Sequence, residues 1–262
     1  MLSLYTGETS MRVTVCEMHD DRTEFARDWD RLAAHAAAEH SDLIVLPEFP
    51  FSKWFCAAPQ FDPAVWQAAL AEHARWLSRL EELAPAQVIA TRPIQRGDQR
   101  RNEGFIWDGE SGLHGCHEKV YLPEEPENWE ATWYQRGDGR FDLAESRAGL
   151  AGFLICSELW AMGRAQAYGK QGARLLITPR ATVIASLEKW LAGGRAAAVV
   201  AGAFALSSNR VSAEVFGGRG WVIDPDGAVL AQTSRDNPIL TVEIDPAQAD
   251  AAKQTYPRYL LD

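Results

Sequence analysis

Residues 41–51 read SDLIVLPEFPF and residues 172–182 read GARLLITPRAT, and both follow one plan: helix end, short apolar run, proline, polar side chain. A run of apolar residues without alternation suits a strand covered on both faces. Proline ends it because its nitrogen has no hydrogen to give a sheet. The same plan in two halves of one chain predicts an α/β fold with two sheets covered by helices. In folds of this kind ligands gather where strands end at their carboxyl side. Glu48, Cys156 and Arg180 each stand at such an end.

Outward from these runs, strands and helices alternate. The first half predicts a strand at 12–16 (RVTVC), a helix at 23–40, the strand 43–46, a helix at 63–84, and strands at 87–91 and 104–107. The second predicts a strand at 150–155 (LAGFLI), a helix at 160–171, the strand 174–178, a helix at 187–201 and strands at 202–207, 220–223, 228–231 and 239–244. Asp224-Pro-Asp-Gly227 supplies the turn of a hairpin. Residues 1–10 are polar and aperiodic and are expected to be an N-terminal tail, with 11–262 forming one domain.

The bulk numbers narrow the function. A net charge of −10 over 262 residues repels phosphate backbones and argues against nucleic acid. The longest apolar run, at 196–206, is too short to span a bilayer, and no signal-peptide pattern opens the chain, so a cytoplasmic protein is expected. Cys16, Cys56, Cys116 and Cys156 form no CxxC pair, and His114 and His117 are the only close histidines, so no metal and no cofactor are expected.

Three residues could carry chemistry together. A free cysteine is most often a packing residue, and Cys16 and Cys116 read that way; Cys56 lies beside Trp54 and Phe55, and Cys156 stands at the abrupt end of a strand. Glu48 follows LIVLP among Phe49, Pro50 and Phe51, where a carboxylate is costly to desolvate without a purpose. Lys119, in HEKVYLP, would alone pass for a lysine that blunts a sheet edge. As a set they supply a thiol nucleophile, a base for its proton and positive charge for an oxyanion.

With these residues in view, the chain resembles the nitrilase, or carbon–nitrogen hydrolase, superfamily from about Arg12 to Asp245. DLIVLPEFPF matches its glutamate motif, CHEKVYLP its lysine motif and GFLICSELW its cysteine motif. Gly172-Ala173, SSNR (207–210) and GGRGWVIDPDGAVLAQTS (217–234) follow in family order. The resemblance implies a four-layer α-β-β-α sandwich of two mixed sheets. It implies a thiol hydrolase of non-peptide carbon–nitrogen bonds, with Cys156 as nucleophile, Glu48 as base and Lys119 at the oxyanion, working through a thioester. It also implies a homodimer or higher oligomer; helices 160–171 and 187–201, rich in Ala and Gly, are expected to suit close helix packing there.

A second glutamate is expected at Glu130, followed by Trp133, Tyr134 and Gly137, with Glu124, Glu125 and Glu127 as competitors. Substrate contacts are expected from Ser157, Glu158, Arg180 and Trp54, and the Cys156 thiol pKa is expected to fall beside Lys119. The helix after the cysteine departs from the family: 160–166 reads WAMGRAQ, placing Arg164 two positions early, and 195–200 reads RAAAVV. An amide is the expected substrate, with nitriles and N-carbamoyl amides as alternatives. The rivals are a papain-like enzyme with His117 as base and a catalytically silent scaffold.

Overall fold

The structure, a computed structural model, describes residues 10–260; the tail expected at 1–10 lies, but for Ser10, outside the described residues. The first half opens with β1 (Met11–His19), α1 (Arg22–Ala38), β2 (Leu43–Val45) and α2 (Pro63–Leu77). A long meander follows, β3 (Gln87–Arg96), β4 (Gln99–Asp108) and β5 (Gly112–Glu118), then one helical turn, α3 (Glu130–Trp133). The second half has β6 (Ala144–Ser146), β7 (Gly149–Phe153), α4 (Met162–Lys170), β8 (Leu175–Ile177), α5 (Leu187–Ala201) and β9 (Phe204–Ser207). It closes with β10 (Asn209–Val211), β11 (Trp221–Ile223), β12 (Val229–Gln232), β13 (Ile239–Ile244) and α6 (Ala247–Lys253).

One sheet runs β10-β1-β2-β3-β4-β5, with β13 also paired to β1; the other runs β12-β11-β9-β8-β7-β6. Both are mixed. β1, β2 and β3 are parallel, as are β7, β8 and β9, and antiparallel strands complete each sheet. The alternation of side chains explains the apolar runs. Leu43 and Val45 enter a core between the sheets with Phe153, Leu175 and Ile177. Ile44 and Leu46 point the other way, under Phe25 and Trp29 of α1 and Trp76 of α2. Leu176 faces the helix side of its own sheet, with Tyr168 of α4 and Ala197 and Ala201 of α5. The layers are therefore α-β-β-α, and each run is buried on both faces.

One expectation changes here. The helix at 63–84 stops at Leu77 and becomes a short 3-10 turn at Leu80–Leu83. Gly193, Gly194, Ala197, Ala198 and Ala201 of α5 are buried within the chain: a Cβ at Gly194 would lie 2.8 Å from the Trp221 ring and one at Gly193 3.0 Å from Trp160. That buried stripe seats the helix on its own chain, while Ala192 and Ala196 face outward.

The two quoted stretches meet. Glu48 N–H donates to Arg180 O (3.2 Å), and Arg180 N–H to Ser208 O (2.9 Å). Ser208 stands where the chain leaves one sheet (β9) for the other (β10); its hydroxyl accepts from Cys16 N–H and donates to Val45 O. The carboxyl ends of β2 and β8 are thereby tied together across the sandwich.

Candidate active site

Glu48, Lys119, Glu130 and Cys156 converge at that end of the sandwich. Glu48 and Lys119 are fully buried, Glu130 is 1 % exposed and Cys156 is 6 % exposed. Lys119 Nζ lies 2.8 Å from Glu48 Oε1 and 2.6 Å from Glu130 Oε2, so one ammonium bridges two carboxylates. Full burial removes the edge-strand reading of Lys119. Of the four candidate glutamates at 124–130, Glu130 is the one that turns inward. Glu124 binds the Thr132 N–H and hydroxyl, and Glu124, Glu125 and Glu127 are exposed.

Local structure holds each side chain. Lys119 follows β5, with its N–H on Asn102 O (2.9 Å) and its carbonyl accepting from Gly137 N–H (2.9 Å). A Cβ at Gly137 would sit 2.3 Å from Glu118 O, which is why glycine closes that motif. The Glu48 loop is gripped by Arg210, which donates to Glu48 O (3.0 Å), Phe49 O and Ser52 O (2.9 Å) while paired with Asp20. Cys156 stands three residues past the end of β7, opening a 3-10 turn at φ +46°, the left-handed region that a non-glycine residue adopts at a cost, with its N–H on Pro179 O (3.0 Å).

Asn102 is a site residue the sequence reading missed. Its Nδ2 donates to Glu48 Oε1 (2.8 Å) and reaches Tyr134 Oη (3.4 Å), whose hydroxyl donates to Glu130. The available signal was parity: Asn102 is in phase with Ile106, whose side chain enters the core between the sheets.

The charges act on one another. Burial would lower the Lys119 pKa, but Glu130 and Glu48 reverse this and hold it well above the ordinary lysine value. Burial pushes Glu130 up to about 7, with Lys119 opposing and Glu48 adding to the rise. The Cys156 thiol is also raised, first by burial and then by Glu48, and Lys119 offsets only part of it. The expected fall beside Lys119 is thus corrected: the thiol rests protonated.

Three expected substrate contacts are spent within the protein. Arg180 is fully buried, donating to Ser207 Oγ (2.7 Å), Thr182 Oγ1 (2.8 Å) and Arg219 O (2.6 Å), with its guanidinium 3.8 Å from the Trp221 ring centroid. A guanidinium with every nitrogen engaged is not free to clamp a carboxylate. Glu158, fully buried, accepts from Ile155 N–H (2.9 Å), Val120 N–H (2.7 Å) and His117 Nε2 (2.8 Å). His117 is therefore engaged by Glu158, against the papain-like reading. The Ser157 hydroxyl donates to Tyr121 O (2.5 Å). Trp54 joins Phe49, Phe55, Trp133, Ala181 and Phe216 in an aromatic cluster around the Glu48 loop. Arg164 lies over the Phe141 ring. Among the described residues no group of three or more His, Cys, Asp and Glu side chains is placed to hold a metal ion, and no helix is long and apolar enough to cross a membrane.

This is the architecture of the nitrilase superfamily. The structure superposes on a carbon-nitrogen hydrolase from Helicobacter pylori with a TM-score of 0.86 at 21% identity, covering 96% of this chain and 95% of that one. It superposes on a variant of an amidase from Nesterenkonia sp. with a TM-score of 0.75 at 18% identity, covering 97% of each chain. In that protein the acetamide moiety of fluoroacetamide is covalently added at the active-site cysteine. The carbon-nitrogen hydrolase family profile matches residues 12–254, and the chain belongs to this family of carbon–nitrogen hydrolases. It is 22% identical over 253 residues to an N-carbamoylputrescine amidase of Arabidopsis thaliana, covering 87% of this chain and 83% of that protein. It is 31% identical over 129 residues to a beta-ureidopropionase of the same plant, covering 49% of this chain and 32% of that protein.

Proposed function

We propose that the protein is a small-molecule amidase in which Cys156 forms a thioester with the acyl group. The observation that carries this reading is the state of Glu48. One of its oxygens, Oε1, is taken by Lys119 (2.8 Å) and Asn102 (2.8 Å), while Oε2 is buried with no partner among the described residues. A buried lone pair beside a protonated thiol is an acceptor in waiting.

In the proposed cycle Glu48 takes the Cys156 proton as sulfur attacks the amide carbon. The oxyanion is met by the Lys119 ammonium and the Ser157 N–H. Glu48 then returns the proton to the departing ammonia or amine as the carbon–nitrogen bond breaks. Water, giving a proton to Glu48, attacks the thioester; the acid leaves and the thiol is restored. Glu130 and its Tyr134 partner hold Lys119 between the two carboxylates.

The acyl group is proposed to be uncharged. The buried guanidiniums of Arg180 and Arg210 have their donors engaged, and the side chains around the loop are aromatic. N-carbamoyl amines are the second reading, favoured by the names of the relatives. The test is a panel of neutral amides, N-carbamoyl amines and nitriles scored by ammonia release, with hydroxylamine as a competing acceptor. A thioester partitions between acid and hydroxamate in a ratio independent of the leaving amine. A ratio that changes with the leaving group would refute the common intermediate.

A further inference from the structure

We propose that Glu158 is a positioning residue which, with His117, locks the turn that presents Cys156 to the segment that presents Lys119. The proposal rests on the reading of Cys156 as nucleophile and Lys119 as its charged partner. The key juxtaposition is one carboxylate binding the N–H of Ile155, immediately before Cys156, and the N–H of Val120, immediately after Lys119.

Neither of these N–H groups serves its own strand: β7 ends at Phe153 and β5 at Glu118. Without Glu158 the buried Ile155 N–H and the part-buried Val120 N–H would lose their partner, and the segments would lose their shared acceptor. The carboxylate also sits at the turn where Cys156 holds φ +46°. A conformation that a side-chain-bearing residue avoids persists only where its surroundings over-determine it. Glu158 N–H completes the lock on Ile155 O (3.1 Å).

His117 supplies the third hydrogen, from Nε2 at 2.8 Å. Its Nδ1 is buried without a partner among the described residues, which assigns the proton to Nε2, since a bare lone pair is less costly to bury than an orphaned N–H. The ring lies 4.9 Å from that of Phe141, which braces it on the side chain of a third segment. Because the Glu158 side chain is fully buried and each of its contacts is internal, it acts on the reaction through Cys156 and Lys119.

Glu158→Gln puts an NH₂ where an oxygen now accepts, and Glu158→Asp keeps the charge but shortens the reach by one methylene. His117→Leu removes the third donor and leaves both backbone bonds. The rate at which iodoacetamide alkylates Cys156, located by peptide mapping, reads the geometry without any substrate; kcat and KM on an amide from the panel read it with one. Displacements of about 1 Å at reacting groups cost ~100-fold, so both Glu158 variants should lose ~10- to 100-fold in alkylation and in kcat, with KM held within about twofold. His117→Leu should show a smaller fall in both, and it decides the matter if the Glu158 variants do not fold. Folded variants with wild-type alkylation and kcat would overturn the proposal. So would Glu158→Asp behaving as wild type, since charge rather than position would then be at work. Selective alkylation of Cys156 in the wild type is the separate check on the nucleophile. Its failure would count against the amidase reading, whereas wild-type rates in the variants would count only against positioning.

Discussion

Replacing Lys119 by glutamine separates charge from shape at the centre of the site. The amide can still donate to one carboxylate, but Glu48 and Glu130, now 2.8 and 2.6 Å from the ammonium nitrogen, lose the charge between them. Two effects follow. Losing an oxyanion donor costs about 3–4 kcal/mol, or ~100- to 1000-fold, and because that contact belongs to the transition state, kcat and kcat/KM should fall together. Removing one partner of a buried ion pair also destabilises the fold by about 3–5 kcal/mol, and this part should depend on pH. Glu130 already holds its proton up to about 7 in the folded chain, above the ordinary 4.5. Without Lys119 its pKa rises further, so above pH 7 the folded variant retains a proton that both the folded wild type and the unfolded chain have released. Stability falls with pH when the folded state binds the extra proton, at up to about 1.4 kcal/mol per unit. The gap between variant and wild type should therefore widen from pH 7 to pH 9 in urea titrations. A raised KM with unaltered kcat would mean that Lys119 binds the ground-state substrate. A gap that stays constant with pH would refute the electrostatic account of the bridge.

Cys156→Ala should abolish turnover while leaving stability within ~2 kcal/mol; ammonia release at a tenth of the wild-type rate would remove Cys156 as nucleophile. Buried His73 bonds Ala69 O through Nδ1 (2.9 Å), and burial pulls its pKa down to about 3 from 6.5. The unfolded chain takes the proton first, so stability is lost as pH falls below 6.5, by about 2 kcal/mol at pH 5; His73→Gln should lack that contribution, and equal losses in both chains would refute it. A homodimer is proposed from the family resemblance, and sedimentation at micromolar concentration showing only the 29.0 kDa chain would exclude it.

The sandwich was legible where both faces of a strand are covered, because LIVL and LLI then have no polar residue to disguise them. The meander was legible only in its apolar stretches, 87–91 and 104–107. Beyond the expected 87–91 and 104–107, β3 and β4 continue through 92–96 and 99–103, where Arg92 and Arg96 pair with Glu103 and Arg101 pairs with Glu118 across the strands. Pairing of charges between neighbouring strands stabilises a projecting ribbon, and it leaves no apolar period to read. β5, GLHGCHE, escaped for the same reason. The meeting of Glu48, Lys119 and Cys156 was legible because each is a polar or thiol side chain at the edge of an apolar segment. Arg180 and Glu158 occupy the same kind of position, and sequence alone does not reveal that their hydrogen-bonding capacity is already used by the protein.

The sign of the thiol shift shows the same limit in energetic form. A lysine near a cysteine argues for a lowered pKa when the pair is taken alone. Here Lys119 answers to two carboxylates before it answers to sulfur, and the group of Glu48, Glu130 and Lys119 carries a formal charge of about −1 when both acids are ionised. Adding a thiolate to that set, in a site with almost no solvent contact, is unfavourable, and the Cys156 pKa rises. A resting thiolate would moreover have to share Lys119 with Glu48. In the proposed cycle this arrangement keeps sulfur neutral, leaves Oε2 of Glu48 open as acceptor and reserves the ammonium for negative charge that forms on the substrate. Proton transfer and attack are then coupled, and the nucleophile is generated only where an electrophilic carbon is present to receive it.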